Sequence, residues 1–200
     1  SGFAKIYSLS DEDDLWHANE VIERSDRIYC VSLSHDGSLL AVGGRDSTVG
    51  VYETRNGGRT RWRVSTTEYV YDCTLSQEAP PEPPRFCVYG GPDKTLTILS
   101  ALTGASMHRV PMGGTVWSLA AGWGDASGYM SVAGEAGSVR IIELESAREV
   151  FSLPRAPLGE HVGARSERDE TPVYGTLLTS STVCFTQGNT CVRYGGDEST

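Results

Sequence analysis

Lysine and long apolar segments are the features that this 200-residue chain most clearly lacks. Only Lys5 and Lys94 are lysine, and 26 acidic residues against 17 basic ones give a formal net charge of −9. A negative field repels phosphate backbones and anionic lipids, which argues against nucleic acid and membrane surfaces as partners. No apolar run approaches the ~20 residues that span a bilayer. The composition therefore predicts a globular protein whose partners are other proteins or peptides.

Cysteine is sparse and scattered, and the count is odd: the five residues are Cys30, Cys73, Cys87, Cys184 and Cys191. A secreted disulfide scaffold would carry an even, clustered set, and neither a CxxC pair nor a metal-ligand spacing with histidine is present. We therefore predict buried free thiols in a reducing, cytoplasmic compartment, with no metal and no cofactor. The N-terminal SGFAKIYSLS has neither an initiator Met nor a signal peptide, and it is interpreted as the middle of a longer chain.

Glycine, in contrast, is abundant at 23 residues, against an average usage of roughly 7%, and this disfavours a helical bundle. Short segments rich in β-branched and aromatic residues alternate with Gly, Asn and Asp turns, which predicts antiparallel strands. Four such segments fill residues 28–33, 39–42, 48–53 and 59–64.

The same order of segments recurs along the chain. The turn before the third segment reads GGRDSTV at 43–49, GGPDKTL at 90–96, AGEAGSV at 133–139 and TQGNTCV at 186–192. Repeats of about 40–45 residues with four strands each are typical of β-propeller blades. Further strands are predicted at 4–8, 15–21, 70–76, 86–89, 95–99, 106–110, 116–121, 129–133, 138–143, 148–153, 173–178, 182–186 and 191–194.

On these residues, above all SHDGSLLAVGGRDSTVGVYE at 34–53, the chain resembles the WD-repeat propellers. The resemblance implies one all-β propeller domain of four-stranded antiparallel blades. Residues 1–27 would be the last two strands of a preceding blade, 28–64, 70–110 and 116–153 three blades, 154–171 a long charged loop and 172–200 a partial blade. Because seven blades require more strands, we expect an open arc or a fragment, with a self-closed four- or five-bladed ring as the alternative.

Departures from the family pattern concern the polar residues that tie a blade together. No Gly-His pair precedes a first strand, and Tyr7, Tyr52, Leu99, Ile142 and Gly195 replace the family's Trp. The structural turn residue is kept at Asp46 and Asp93, becomes Asn189 in the last repeat and is lost at Ala136. The hydrogen-bonded tetrad is therefore expected to be incomplete in every repeat, with apolar packing holding the blades.

One position is aromatic in all four repeats, namely the second residue of each predicted first strand: Tyr29, Tyr71, Trp117 and Tyr174. In WD-repeat proteins this position lies at the rim of the central channel and commonly contacts a bound peptide. The resemblance implies that Arg45, Pro92 and Glu135 lie on the same face. Packing between blades is the alternative role for the four rings.

The remaining motifs are ambiguous or structural. The loop 154–171 is interpreted as a mobile solvated insertion or a partner contact, and QEAPPEPP at 77–84 as a stiff surface loop or a ligand for a proline-binding module. Arg59, Arg61 and Arg63 would protect an outer strand edge from pairing or bind an anion, and the acidic run 11–14 is interpreted as a solvated turn.

No catalytic motif is recognisable in the sequence. His35-Asp36 resembles a dyad but occupies a predicted hairpin turn, and His161 lies on the long loop. The sequence thus predicts a non-catalytic interaction scaffold within a larger intracellular assembly. The alternatives are a reader of linear peptide motifs and, more distantly, a propeller enzyme. Association through open blade edges, or with the rest of a longer chain, is expected.

Overall fold

The structure is a computed structural model that describes residues 1–10, 13–55, 57–135, 139–153, 173–178, 182–187 and 190–195. Side chains are described within the first four of these ranges, except at 19, 20 and 153. The strands, in chain order, are β1 Gly2–Leu9, β2 Trp16–Arg24, β3 Ile28–Leu33, β4 Leu39–Gly44, β5 Thr48–Glu53, β6 Arg59–Ser65, β7 Asp72–Leu75, β8 Phe86–Gly90, β9 Thr95–Ser100, β10 Ser106–Pro111, β11 Val116–Ala121, β12 Tyr129–Gly134, β13 Val139–Glu143, β14 Arg148–Leu153, β15 Val173–Leu178, β16 Thr182–Gln187 and β17 Thr190–Gly195.

The strands form five antiparallel sheets, and within each sheet the spatial order follows the chain. We call them the N-terminal sheet (β1–β2), the first (β3–β6), second (β7–β10) and third (β11–β14) sheets, and the last sheet (β15–β17). Short turns allow only antiparallel neighbours, which explains the simple meander. The prediction of an all-β fold built from four-stranded antiparallel sheets is confirmed.

Consecutive sheets pack face to face, and their first strands β3, β7, β11 and β15 lie side by side along one inner edge. One core cluster joins the first and second sheets through side chains such as Val51, Leu75 and Leu99. Another joins the second and third sheets through Ile98, Met130 and Ile142. Within the described strands, none of the N-terminal sheet pairs with the last sheet, so the sheets form an open arc.

Glycine is required where one sheet passes the next. A Cβ atom on Gly43 would lie 2.5 Å from Cγ1 of Val70, and one on Gly90 would lie 2.5 Å from Cγ1 of Val116. Val70 lies two residues before β7, and Val116 is the first residue of β11. The chain crosses directly between the sheets here, since Val70 N–H donates to the Gly44 carbonyl at 3.0 Å.

Several predicted strand bounds differ from the observed ones, and two of these differences affect the residues discussed below. The second strand does not end at residue 21 but continues to Arg24, which is paired with Gly2. The strand predicted from residue 70 begins at Asp72, because Val70 is bonded to the preceding sheet before the chain joins its own. Tyr71 therefore lies just before β7 rather than within it.

No helix among the described residues is both long and apolar enough to traverse a bilayer.

The glycine crossing leads to a testable prediction. Gly90→Ala should lower the free energy of unfolding by about 1–3 kcal/mol, because the added methyl group overpacks the junction with Val116. The matched control is Gly128→Ala, where an added Cβ meets no atom within 4 Å. Urea unfolding of both variants measures the difference, and equal stability of the two would contradict the assignment of a tight crossing at Gly90.

Candidate functional site

Three of the four predicted rim aromatics lie in one row, here called the aromatic row: Tyr29, Tyr71 and Trp117. The rings of Tyr71 and Trp117 are stacked, with centroids 4.8 Å apart and planes inclined by 5°. The rings of Tyr29 and Tyr71 are 5.9 Å apart and tilted by 55°. The row exists because each ring belongs to the same position of consecutive sheets, whose first strands are neighbours. Tyr174 holds that position in β15, but its side chain lies outside the described part of the structure.

The rings of the aromatic row differ in how far they are packed between sheets. Tyr71 has an aromatic neighbour on each side, so its ring is engaged between sheets. Tyr29 stands at the end of the row and is 42% exposed. Inter-sheet packing of these rings is thus observed, and contact with a peptide stays a prediction. A ligand would approach the ring edges and the outer face of Tyr29.

Arg45 and Glu135 directly follow the glycine that ends a second strand, and Pro92 follows one residue later, after Gly91. Arg45 lies 3.7 Å from Asp26, and its guanidinium stands 5.8 Å from the ring centroid of Tyr69. Glu135 accepts hydrogen bonds from Thr115 N–H at 3.1 Å and from its hydroxyl at 2.7 Å, and these bonds lower the pKa of its carboxyl. Pro92 is half-buried. Arg45 and Glu135 therefore have intramolecular partners with which a ligand would compete.

Asp72, which the sequence analysis missed, lies next to the row and ties two first strands together. Its carboxylate accepts a hydrogen bond from Leu119 N–H of the third sheet at 2.7 Å. Burial raises the pKa of Asp72 to about 6, although this bond and one from Cys73 N–H favour the charged form. The sequence offered one signal of this buried carboxylate, namely a charged residue inside a segment predicted to be an apolar strand.

This raised pKa leads to a pH prediction. Between about pH 4 and 6 the folded Asp72 holds a proton that the unfolded chain releases, so its contribution to stability decreases as pH rises through 6. Asp72→Asn keeps an acceptor for Leu119 N–H and removes the buried charge. We expect it to raise the free energy of unfolding at pH 8 by about 1–3 kcal/mol, with a smaller gain at pH 5, as measured by urea unfolding. The exposed Asp125→Asn is the control, and an identical pH profile for both variants would refute the prediction.

A second missed residue, Arg24, forms the centre of a buried polar network between the N-terminal and first sheets. Its guanidinium donates to both carboxylate oxygens of Asp46, each at 2.8 Å. It also donates to the carbonyls of Val42 at 3.3 Å and Thr48 at 2.9 Å, to the Tyr52 hydroxyl at 3.2 Å and to the Thr48 hydroxyl. The side chains of Arg24 and Asp46 are only 1% and 4% exposed.

This network corrects one expectation. The hydrogen-bonded tetrad was expected to be incomplete in every repeat, but Asp46, Thr48 and Tyr52 of the first repeat are connected through Arg24 of the N-terminal sheet. Burial alone would raise the pKa of Asp46, but hydrogen bonds from Arg24 and Thr48 and the charges of Arg24 and Arg63 outweigh it, so this pKa is lowered. A buried charge is tolerated here because it is bonded on several sides.

The equivalent turn aspartate of the second sheet, Asp93, is bonded less extensively than Asp46. Asp93 accepts from Thr95 N–H at 3.1 Å, and Arg109 lies 3.8 Å away with its side chain 58% exposed. Asn189, predicted for the last repeat, lies outside the described residues, as does the turn at Ala136. The described turn aspartates thus have unequal partners, and only Asp46 is bonded to an arginine from the preceding sheet.

The two arginines that contact Asp46 provide a matched pair of variants. Arg24→Ala should lower the free energy of unfolding by about 3–5 kcal/mol, because it leaves a buried carboxylate without its main partner. Arg63 contacts the same carboxylate at 2.9 Å, but its side chain is 41% exposed, so Arg63→Ala should cost less than about 1 kcal/mol. Chemical denaturation measures both values, and similar losses in the two variants would contradict the distinction.

The other candidate residues have ordinary surroundings. Asp36 accepts from the hydroxyls of Ser34 at 2.7 Å and Ser38 at 2.9 Å, which places it in a turn, and these bonds lower its pKa to about 2. Cys30, Cys73 and Cys87 are buried free thiols. No group of three or more His, Cys, Asp or Glu side chains in the described residues could hold a metal ion. The loop 154–171, with His161, lies outside the described residues, and so do Cys184 and Cys191 as side chains.

One family model matches part of this chain, and the fold of the chain is similar to that of several solved structures. A family model described as "WD domain, G-beta repeat" matches residues 18–53, which run from β2 to β5 and include Arg24, Asp46 and Tyr52. No curated protein matches the chain in sequence. The chain is similar in structure to BamB from Moraxella catarrhalis, with a TM-score of 0.71 and 14% identity over 98% of this chain and 52% of that one.

Two further solved structures match a slightly smaller part of this chain. The WD40 repeats of RRP9 match with a TM-score of 0.68 and 13% identity, over 88% of this chain and 53% of that chain. A structure of U3-55K matches with a TM-score of 0.68 and 13% identity, over 88% of this chain and 54% of that chain. At these identities the likeness concerns the fold alone, and the chain spans about half the length of each of these three structures.

Proposed function

We propose that this chain, an open arc of a divergent WD-repeat β-propeller, is a non-catalytic scaffold of a larger intracellular assembly that binds linear peptide segments of its partners at the aromatic row. The observation that carries the proposal is the alignment of Tyr29, Tyr71 and Trp117 at one end of three consecutive first strands. Nothing in the part of the chain that the structure describes favours an enzymatic function to a comparable degree.

Aromatic rings fixed in this way are suited to binding. Rings that are already stacked lose little conformational freedom when a ligand arrives, and aromatic residues dominate the energetics of many interfaces. The three rings belong to three different sheets, so the row is as rigid as the packing between the sheets. A bound segment would lie across the first strands and touch several sheets at once.

Charge favours a basic or neutral peptide. The chain carries a net charge of −9, and a field of this sign accelerates association with positively charged partners. Near the row, Asp26 pairs with Arg45, and Glu135 is held by Thr115. A lysine or arginine of the peptide could approach Asp26 or Glu135, whereas an acidic residue would have to compete with Asp26 for Arg45.

The test is selection of linear peptides from a random displayed library on the immobilised 200-residue chain, followed by titration of synthetic versions. We expect enriched peptides to bind the double variant Tyr71→Ser, Trp117→Ser at least about 30-fold more weakly, as expected for the loss of interface hot spots. Thermal melting establishes that the double variant is folded under the conditions of the titration.

The matched control is Trp123→Ser, which follows the opposite end of β11 and is 56% exposed. It should leave the affinity of the selected peptides unchanged. Equal binding to the folded double variant and to the parent chain would refute the aromatic row as the binding site. Failure of the library to yield any binder would refute peptide recognition by this chain.

A further inference from the structure

Three of the chain's five cysteines lie together in the core between the first and second sheets. Cys30 belongs to β3, Cys73 to β7 and Cys87 to β8, and all three are members of one cluster of buried side chains. They are free thiols. Cys30 is 9% exposed, whereas Cys73 and Cys87 are 1% and 0% exposed. This cluster is separate from the arginine–carboxylate network on the other face of the first sheet.

Cys30 and Cys73 are in direct contact through their sulfur atoms. Sγ of Cys30 lies 3.1 Å from Sγ of Cys73, and the sulfur atoms of a disulfide are about 2.0 Å apart. The contact crosses the junction of two sheets, because the two residues are 43 positions apart in the chain and belong to neighbouring first strands. An approach of about 1 Å therefore brings the two sulfur atoms to bonding distance.

Other contacts hold the two first strands together on both sides of the thiol pair. Leu75 N–H donates to the Ser32 hydroxyl at 3.1 Å, and the hydroxyls of Ser32 and Thr74 lie 3.2 Å apart. Before the pair in each chain segment, the rings of Tyr29 and Tyr71 pack with centroids 5.9 Å apart. The two sulfur atoms are thus brought together by the folded chain itself.

We propose that Cys30 and Cys73 form a reversible disulfide that links the first and second sheets under oxidising conditions. The oxidant is a low-molecular-weight disulfide of the glutathione class. One protein thiol attacks it, forms a mixed disulfide and releases one small thiol; the second protein thiol then attacks the mixed disulfide and releases the other. The two cysteines lose two electrons, the oxidant gains them, and both cysteine protons end on the released thiols.

Burial decides which cysteine reacts first. Cys30 keeps some exposure, so a small disulfide can reach its sulfur, whereas Cys73 is enclosed. The neighbouring Cys30 thiol and burial both raise the pKa of Cys73. Because the thiolate is the nucleophile, this raised pKa makes Cys73 a poor first attacker. It acts in the second step, in which its target sulfur is already in contact and no further molecule has to enter the core.

Cys87 offers a comparison within the same cluster. It is buried among the same side chains, and burial raises the pKa of its thiol. The sulfur–sulfur contact of the described cysteines joins Cys30 to Cys73 and leaves Cys87 out. Cys87→Ala therefore removes a thiol of similar burial and keeps the proposed pair. It is the matched control for Cys73→Ala.

The test is exchange of the folded 200-residue chain with excess oxidised glutathione at pH 8, followed by alkylation of the remaining thiols and digestion with trypsin. The three cysteines fall in different tryptic peptides, residues 28–45, 64–85 and 86–94. We expect peptides 28–45 and 64–85 to be linked at least about tenfold more often than any other pair, because their sulfur atoms alone need so little movement. A reducing agent should release the two peptides, and the intact mass should be that of one chain.

Stability provides a second readout. A link between residues 30 and 73 closes a long loop in the unfolded chain, so oxidation should raise the urea midpoint by about 1 M. Cys73→Ala should show neither the link nor the rise, and Cys30→Ala serves in its place if Cys73→Ala does not fold. Cys87→Ala should keep both the link and the rise.

Four outcomes would overturn the proposal. The first is absence of the 28–45 to 64–85 link after exchange, and the second is the same mixture of linked peptides from the folded chain and from the chain in concentrated urea. The third is loss of the link in Cys87→Ala when thermal melting shows that this variant is folded. The fourth is a lower urea midpoint of the oxidised chain, since the sulfur atoms would then meet only by distorting the sheets. None of these measurements uses a peptide ligand, so they are independent of the proposed scaffold function.

Discussion

Face-to-face packing of narrow sheets is the constraint on which the other features of this structure depend. A sheet of two to four strands cannot bury its own side chains, so the first and second sheets place apolar residues on both faces and bury them against their neighbours. The inner edge is the tightest part of this packing, since Gly43 and Gly90 leave no room for a Cβ atom. Because the first strands are forced together there, equivalent residues of successive sheets meet, and the aromatic row is one result.

The junctions between sheets are built from different chemistry. The N-terminal and first sheets are joined by a buried arginine–carboxylate network, in which Arg24 of β2 reaches the turn residue Asp46. The junction of the first and second sheets combines an apolar core with hydrogen bonds such as those from Trp62 Nε1 to the Ala101 carbonyl and from Leu75 N–H to the Ser32 hydroxyl. The second and third sheets combine an apolar core with the Asp72–Leu119 bond. The arginine–carboxylate network thus ties β2 to the turn between β4 and β5.

The inner edge of the arc brings side chains of several sheets together. Tyr29, Tyr71 and Trp117 meet there because the same position of successive first strands is repeated, and no change in the fold is needed to align them. Tyr29 is the outermost described ring of the row and is 42% exposed.

The sequence by itself determined the strand pattern, the antiparallel meander and the repeated position of Tyr29, Tyr71 and Trp117, because alternation and turn residues are local properties. It also singled out Asp46, since the turn motif repeats. Arg24 and Asp72 escaped it, because a charged residue in a strand is recognised as buried only when its partners, 22 and 47 residues away in the chain, are known. Likewise, only the tertiary structure brought Cys30 and Cys73 together, because 43 positions separate them in the chain and their sulfur atoms meet across the junction of two sheets.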